Sequence, residues 1–221
     1  MRKVVAAGVV AITLAVGAAV ALASSTTSRG PAKLKTGGVK LSTTFGWGGL
    51  SRARAPIITG FDLWFPTGSQ YNGARYPSCS ASKLDARGPA ACPKGSIMGS
   101  GGGIAYAAST ITRPKITVVN GGAKQVLFYV VMNNPARVRK AVIGHITKVS
   151  GKFVYHLSAV IPKELRVVAG VPIKLTSLKI TAGKGKWLAI TSAPAGVEVD
   201  TSYSTGFKTS AQVLIQNSLA P

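Results

Sequence analysis

The stretch Phe153-Val154-Tyr155-His156-Leu157-Ser158-Ala159-Val160-Ile161 decides the fold class. Phe153, Tyr155, Leu157, Ala159 and Ile161 share one parity, while Lys152, His156 and Ser158 share the other. Side chains on a strand point alternately to its two faces, so this spacing predicts a strand with one buried side. Ile57, Thr59, Phe61, Leu63 and Phe65 repeat the pattern with Asp62 on the opposite parity, and Phe207, Thr209, Ala211, Val213 and Ile215 repeat it near the C-terminus. Residues 126–132, VLFYVVM, are continuously apolar, as suits a central strand covered on both sides.

Between these runs the chain is punctuated by Gly, Pro and Ser. Gly121-Gly122 predicts a hairpin turn after the strand ending at Asn120. In residues 171–183 the apolar parity changes from Ile173 and Leu175 to Leu178 and Ile180, which predicts a bulge near Ser177. No long helical stripe occurs, so helices are confined to short pieces at Ser80 to Ala86, in the cysteine loop, and at Pro162 to Leu165. About nine short strands without intervening helices predict an all-β, antiparallel, jelly-roll-like sandwich, with a β-barrel as the alternative.

Met1-Arg2-Lys3 precedes an uncharged apolar run from Val4 to Ala23 that ends in Ala21-Leu22-Ala23. A positive start, an apolar middle and small residues before the break are the marks of a signal peptide, with cleavage expected after Ala23. An uncleaved anchor is the competing reading, because about 20 apolar residues also span a bilayer. The domain plan is therefore a signal peptide over 1–23, a polar, flexible lead-in over 24–37 and one β domain over 38–221.

Charge is the dominant compositional fact. The chain has 27 Lys plus Arg against 5 acids, and loss of Arg2 and Lys3 with the signal leaves a balance of +20. Such a surface favours polyanions. The tightest basic groups, Arg52 with Arg54, Arg137 with Arg139 and Lys140, and Lys184 with Lys186, are the candidate anion-binding residues. Lysines at the ends of apolar runs, such as Lys115, Lys124, Lys148 and Lys152, also keep sheet rims soluble.

The two cysteines, Cys79 and Cys92, predict one disulfide in an exported chain. A loop of this size stabilises by about 3 kcal/mol in the chain-entropy model. His145 and His156 are too few and too far apart in sequence to suggest, with these cysteines, a tetrahedral metal site.

The string Tyr76-Pro77-Ser78-Cys79, followed by Leu84, Gly88 and Cys92-Pro93-Lys94-Gly95-Ser96-Ile97-Met98-Gly99-Ser100-Gly101, resembles a P-x-C, L, G, C-P-x-x-S-x-(V/I)-x-G pattern of uncharacterised exported β-rich proteins of actinobacteria. The resemblance covers residues 56–106, with a weaker echo over 187–206. It implies a β-rich fold and an extracytoplasmic setting, and it brings no established activity. Where that family carries further cysteines in the second region, this chain has none, so a second disulfide is not expected.

No catalytic constellation stands out. The acids are Asp62, Asp85, Glu164, Glu198 and Asp200; Glu198 and Asp200 share a parity, in a segment that reads as an exposed turn and strand edge. Paired carboxylates would suit glycoside hydrolysis, but their separation has to come from the fold. No G-x-S-x-G occurs, and the disulfide consumes both thiols. Gly99-Ser100-Gly101-Gly102-Gly103 leads into a strand rather than a helix, unlike a phosphate loop, and reads as a bulged strand entry. The aromatic residues fall in core parity more than beside basic groups, which with export disfavours nucleic acid. The expectation is an exported, non-catalytic protein without a cofactor that binds anionic wall polymer or anionic lipid. A carrier of an apolar ligand is the alternative, and a secreted hydrolase with an unfamiliar site is the weaker one.

Overall fold

The computed structural model describes residues 25–33, 38–46, 57–190, 197–203 and 208–213. The signal segment, Arg52 and Arg54 lie outside the described residues.

The protein is predominantly β, and its antiparallel sheet curls into a half-barrel. The sheet path starts with β1 (Ser25–Lys33) and β2 (Val39–Gly46), which sit beside β12 (Val171–Ala182). It continues through β5 (Ile97–Ala107), β7 (Lys115–Asn120), β8 (Gln125–Met132), β9 (Val138–Lys148), β10 (Phe153–Val160) and β3 (Ile58–Pro66). It ends with β14 (Val197–Tyr203) and β15 (Lys208–Val213). Short strands β6 (Thr110–Thr112) and β11 (Val167–Val168) flank β5 and β12, bringing the sheet to 13 strands. A separate pair joins β4 (Ser69–Tyr71) to β13 (Leu188–Ile190).

The strands exceed the nine expected partly because several are only two or three residues long and carry no readable period. The lead-in expected over 24–37 is also corrected: Ser25–Lys33 is a strand paired with β2. Its polar composition disguised it. Because β1 lies at the sheet's edge, it tolerates Pro31, and the register shifts between Arg29 and Ala32 around that proline.

The sheet's inner face carries the main core. Phe65, Val118, Phe128, Val142, Leu157 and Ala159 are buried there, and Phe61 meets Phe128 edge to face at 5.3 Å. The continuous apolar run of β8 is covered on both sides, as expected. Phe128 faces the main core, while Leu127 and Tyr129 face a second cluster under α1 (Ala81–Arg87).

That helix lies inside the loop closed by the Cys79–Cys92 disulfide. The Ser80 hydroxyl accepts a hydrogen bond from the Lys83 N–H, capping the first turn, and Gly88 at φ 73° ends the helix. Leu84, completely buried, packs in one cluster with Val119, Leu127, Tyr129 and Ala141. A second short helix, α2 (Lys163–Arg166), occupies the other expected position.

Two sequence irregularities are structural devices. The parity change in β12 is a register shift between Leu175 and Ser177 against β5. The glycine run lies within β5, where a Cβ on Gly99, Gly101 or Gly103 would come within 2.0–2.5 Å of β12 carbonyl oxygens. These glycines admit the close approach of β12.

Candidate functional site

The inner face is occupied by core, and α1 covers the middle of the outer face. Chemistry therefore concentrates on the two outer areas that α1 leaves open.

The first is a basic row. Lys179 on β12 is in register with Gly102 on β5, Gly102 with Lys115 on β7, Lys115 with Val131 on β8, and Val131 with Arg139 on β9. Residues directly opposite one another share a sheet face. Leu178 and Ile180, on either side of Lys179, pack against the main core, which places Lys179 on the outer face. Lys179, Lys115 and Arg139 are all exposed. Strands lie about 4.8 Å apart, so a cation recurs about every 10 Å along a line about 19 Å long. None of the three is ion-paired among the described residues.

The helix beside this row has its own charge satisfied. Asp85 Oδ1 accepts a hydrogen bond of 2.6 Å from the Ala141 N–H, and Asp85 Oδ2 pairs with Lys140 Nζ at 2.9 Å. The Asp85 hydrogen bond and charge hold the Lys140 ammonium above its ordinary range. Asp85 thereby clamps α1 onto β9 and withdraws Lys140 from the free cations.

The nominated basic groups thus separate. Arg137 and Arg139 are exposed at the start of β9, with Arg139 in the row. Lys184 and Lys186 are exposed in the turn after β12, beyond the last residue of that strand and outside the register row. The fold does not merge them with the row. In sequence Lys115 reads as a rim residue and nothing singles out Lys179; only strand register aligns them with Arg139.

The second open area lies across β9, β10, β3 and β14. One register row contains His145, Ser158, Asp62 and Asp200, and the adjacent row contains Thr147, His156, Trp64 and Glu198. Both histidines and three of the five acids of the chain therefore stand at eight neighbouring positions. His156 Nε2 lies 2.7 Å from Asp62 Oδ1, and each side chain retains 23% exposure. The His156 ring stacks on Trp64 at 3.8 Å, and Trp64 also neighbours Phe153 at 5.9 Å. Among the described residues alone, no group of three or more His, Cys, Asp or Glu is placed to hold a metal.

A third polar centre is architectural. Asn120 is fully buried, and its Nδ2 donates to the carbonyls of Gly73, Tyr76 and Pro77. Its Oδ1 accepts from Trp187 Nε1 at 3.1 Å and from the Gly122 N–H at 3.3 Å. The Tyr71 hydroxyl lies 2.8 Å from the Gly122 and Gln125 carbonyls, and burial pushes its phenol above the usual tyrosine range. This network joins β7, β4 and the segment entering β13.

Comparison with known proteins finds no matching family model, curated protein or solved structure. Among the described residues, no helix is long and apolar enough to cross a membrane.

Proposed function

We propose that this is an exported, non-catalytic binding protein whose outer sheet face holds an extended anionic polymer of the cell envelope. The observation that carries the reading is the row Lys179, Lys115 and Arg139, three exposed cations on alternate strands of one sheet. A polymer with repeating negative charge can meet all three by following the curve of the sheet, and backbone pairing fixes the spacing in advance. The apolar run before Ser24, the Cys79–Cys92 disulfide and the resemblance of residues 56–106 to exported actinobacterial proteins support the setting.

The test is binding of the disulfide-intact protein to acidic wall polymer, anionic liposomes and neutral controls across a salt series. The reading expects salt-sensitive retention on the polymer, because screening weakens exposed charge pairs. Joint replacement of Lys115, Arg139 and Lys179 by Gln should abolish that retention, whereas replacement of Lys184 and Lys186 should leave most of it. Equal binding by the triple variant would remove the row as the site. Preference for liposomes would move the proposal to a lipid surface.

A carrier for an apolar ligand is the second reading. It is favoured by the inner-face side chains Phe61, Leu63, Tyr155, Leu175, Leu178 and Ile180, which pack against the core yet remain only partly buried. Mass spectrometry of gently purified protein would reveal a retained apolar molecule, and its repeated absence would eliminate this reading.

A further inference from the structure

Between Lys179 and Lys115 the basic row crosses Gly102, where the fold makes little demand for a glycine. Its φ is not positive, and a Cβ built on it would find, chain neighbours aside, only the Pro114 carbonyl oxygen within 4 Å, at 3.1 Å. Gly99, Gly101 and Gly103 differ, because each admits β12. Two exposed cations therefore flank a stretch of open backbone. A strand glycine of this kind marks a place where a ligand can approach the main chain closely.

Beside the basic row runs a second row, made of hydroxyls. Ser42 on β2 is in register with Thr181 on β12, Thr181 with Ser100 on β5, and Ser100 with Thr117 on β7. Thr181, Ser100 and Thr117 stand two residues along their strands from Lys179, Gly102 and Lys115, so they share the outer face with the cations at a distance of about 7 Å. The Ser42 and Thr181 hydroxyls hydrogen-bond to each other at 3.0 Å. Those of Ser100, exposed, and Thr117, half-buried, make no hydrogen bond among the described residues.

We propose that the polymer is an acidic polysaccharide, an inference that rests on reading the basic row as a polyanion site. One sugar ring sits over Gly102, with acid groups at Lys179 and Lys115 and ring hydroxyls at Thr181, Ser100 and Thr117. A hydroxyl both donates and accepts, so a row of them suits a ligand edge that does both. A polyphosphate offers acceptors alone, and a narrow chain drawn along the cations leaves the hydroxyl row untouched. Glycine at 102 gives the ring room against the backbone, and the two rows touch its opposite edges.

The disulfide-intact protein is titrated by calorimetry with polygalacturonate, with polyphosphate of matched charge and with phosphatidylglycerol vesicles. Polygalacturonate should bind more tightly than either of the others. Replacing Thr181 and Thr117 by Val and Ser100 by Ala together should cut the preference for polygalacturonate over polyphosphate about tenfold or more, because three hydrogen bonds are lost and no charge changes. Gly102→Val, which fills the space between the cations, should cut it as well. Near-UV circular dichroism verifies that each variant is folded. Joint replacement of Lys115, Arg139 and Lys179 by Gln should weaken both polymers, and undiminished binding there would overturn the basic row and this inference with it. Salt-sensitive binding that shows no preference for polygalacturonate, or an unchanged preference in the folded hydroxyl variant, would overturn the polysaccharide assignment while leaving the basic row in place.

Discussion

Replacing Asn120 by Ala should disconnect the β4 and β13 segments from the end of β7. The Nδ2 group carries two protons and faces three carbonyls, so it supplies two full hydrogen bonds' worth of donation. Each contributes about 1 kcal/mol net. The Tyr71 hydroxyl has a single proton and two nearer acceptors, in the Gly122 and Gln125 carbonyls, so its 3.1 Å contact with Asn120 adds little. The buried Trp187 Nε1–H, by contrast, loses its hydrogen bond to Oδ1, a loss of about 1–3 kcal/mol. The sum is about 4 kcal/mol. At about 2–4 °C per kcal/mol for a domain of this size, that lowers Tm by about 8–16 °C. Urea unfolding of the oxidised protein, followed by tryptophan fluorescence and far-UV circular dichroism, measures it where the two probes coincide. Asn120→Asp keeps the acceptors but loses both protons and buries a charge, so it should be at least as damaging. A loss below about 1 kcal/mol in Asn120→Ala would refute the assignment of Asn120 as the organising polar centre.

Two further outcomes follow from the same structure. Leu84→Ala removes the one fully buried side chain of α1 and should destabilise by about 2–5 kcal/mol in urea unfolding, while the disulfide still holds the loop ends together; a near-neutral result would mean that the helix does not seal β8. Tyr71 is neutral in the fold because burial raises its pKa, whereas the unfolded chain ionises it near the ordinary value of about 10. Its contribution is therefore fully present below that pH and is lost as pH rises above it. The stability gap between wild type and Tyr71→Phe should shrink between pH 9 and 11, and a constant gap would contradict the burial argument.

Much of this protein was legible before folding. Alternation in residues 153–161 announced β10, the parity change near Ser177 announced the bulge in β12, and Gly121-Gly122 announced the β7–β8 hairpin. These features are local, with side-chain period and backbone freedom written into adjacent residues. Two cysteines in a chain with a signal-like start were enough to predict the Cys79–Cys92 bond.

The functional surfaces depend on register, which relates residues far apart in the chain. Lys115, Arg139 and Lys179 belong to three strands separated by long stretches of sequence, and no spacing rule aligns them. Asp62 and His156 are 94 residues apart and yet approach to 2.7 Å. The edge strand β1 is not legible in sequence because its composition is polar and a strand paired on one side only demands little apolar patterning. The sequence by itself determined an all-β chain, its disulfide and its charge. Tertiary structure alone decided which charges stand together, because cross-strand pairing is a long-range choice made when the whole sheet buries its inner face.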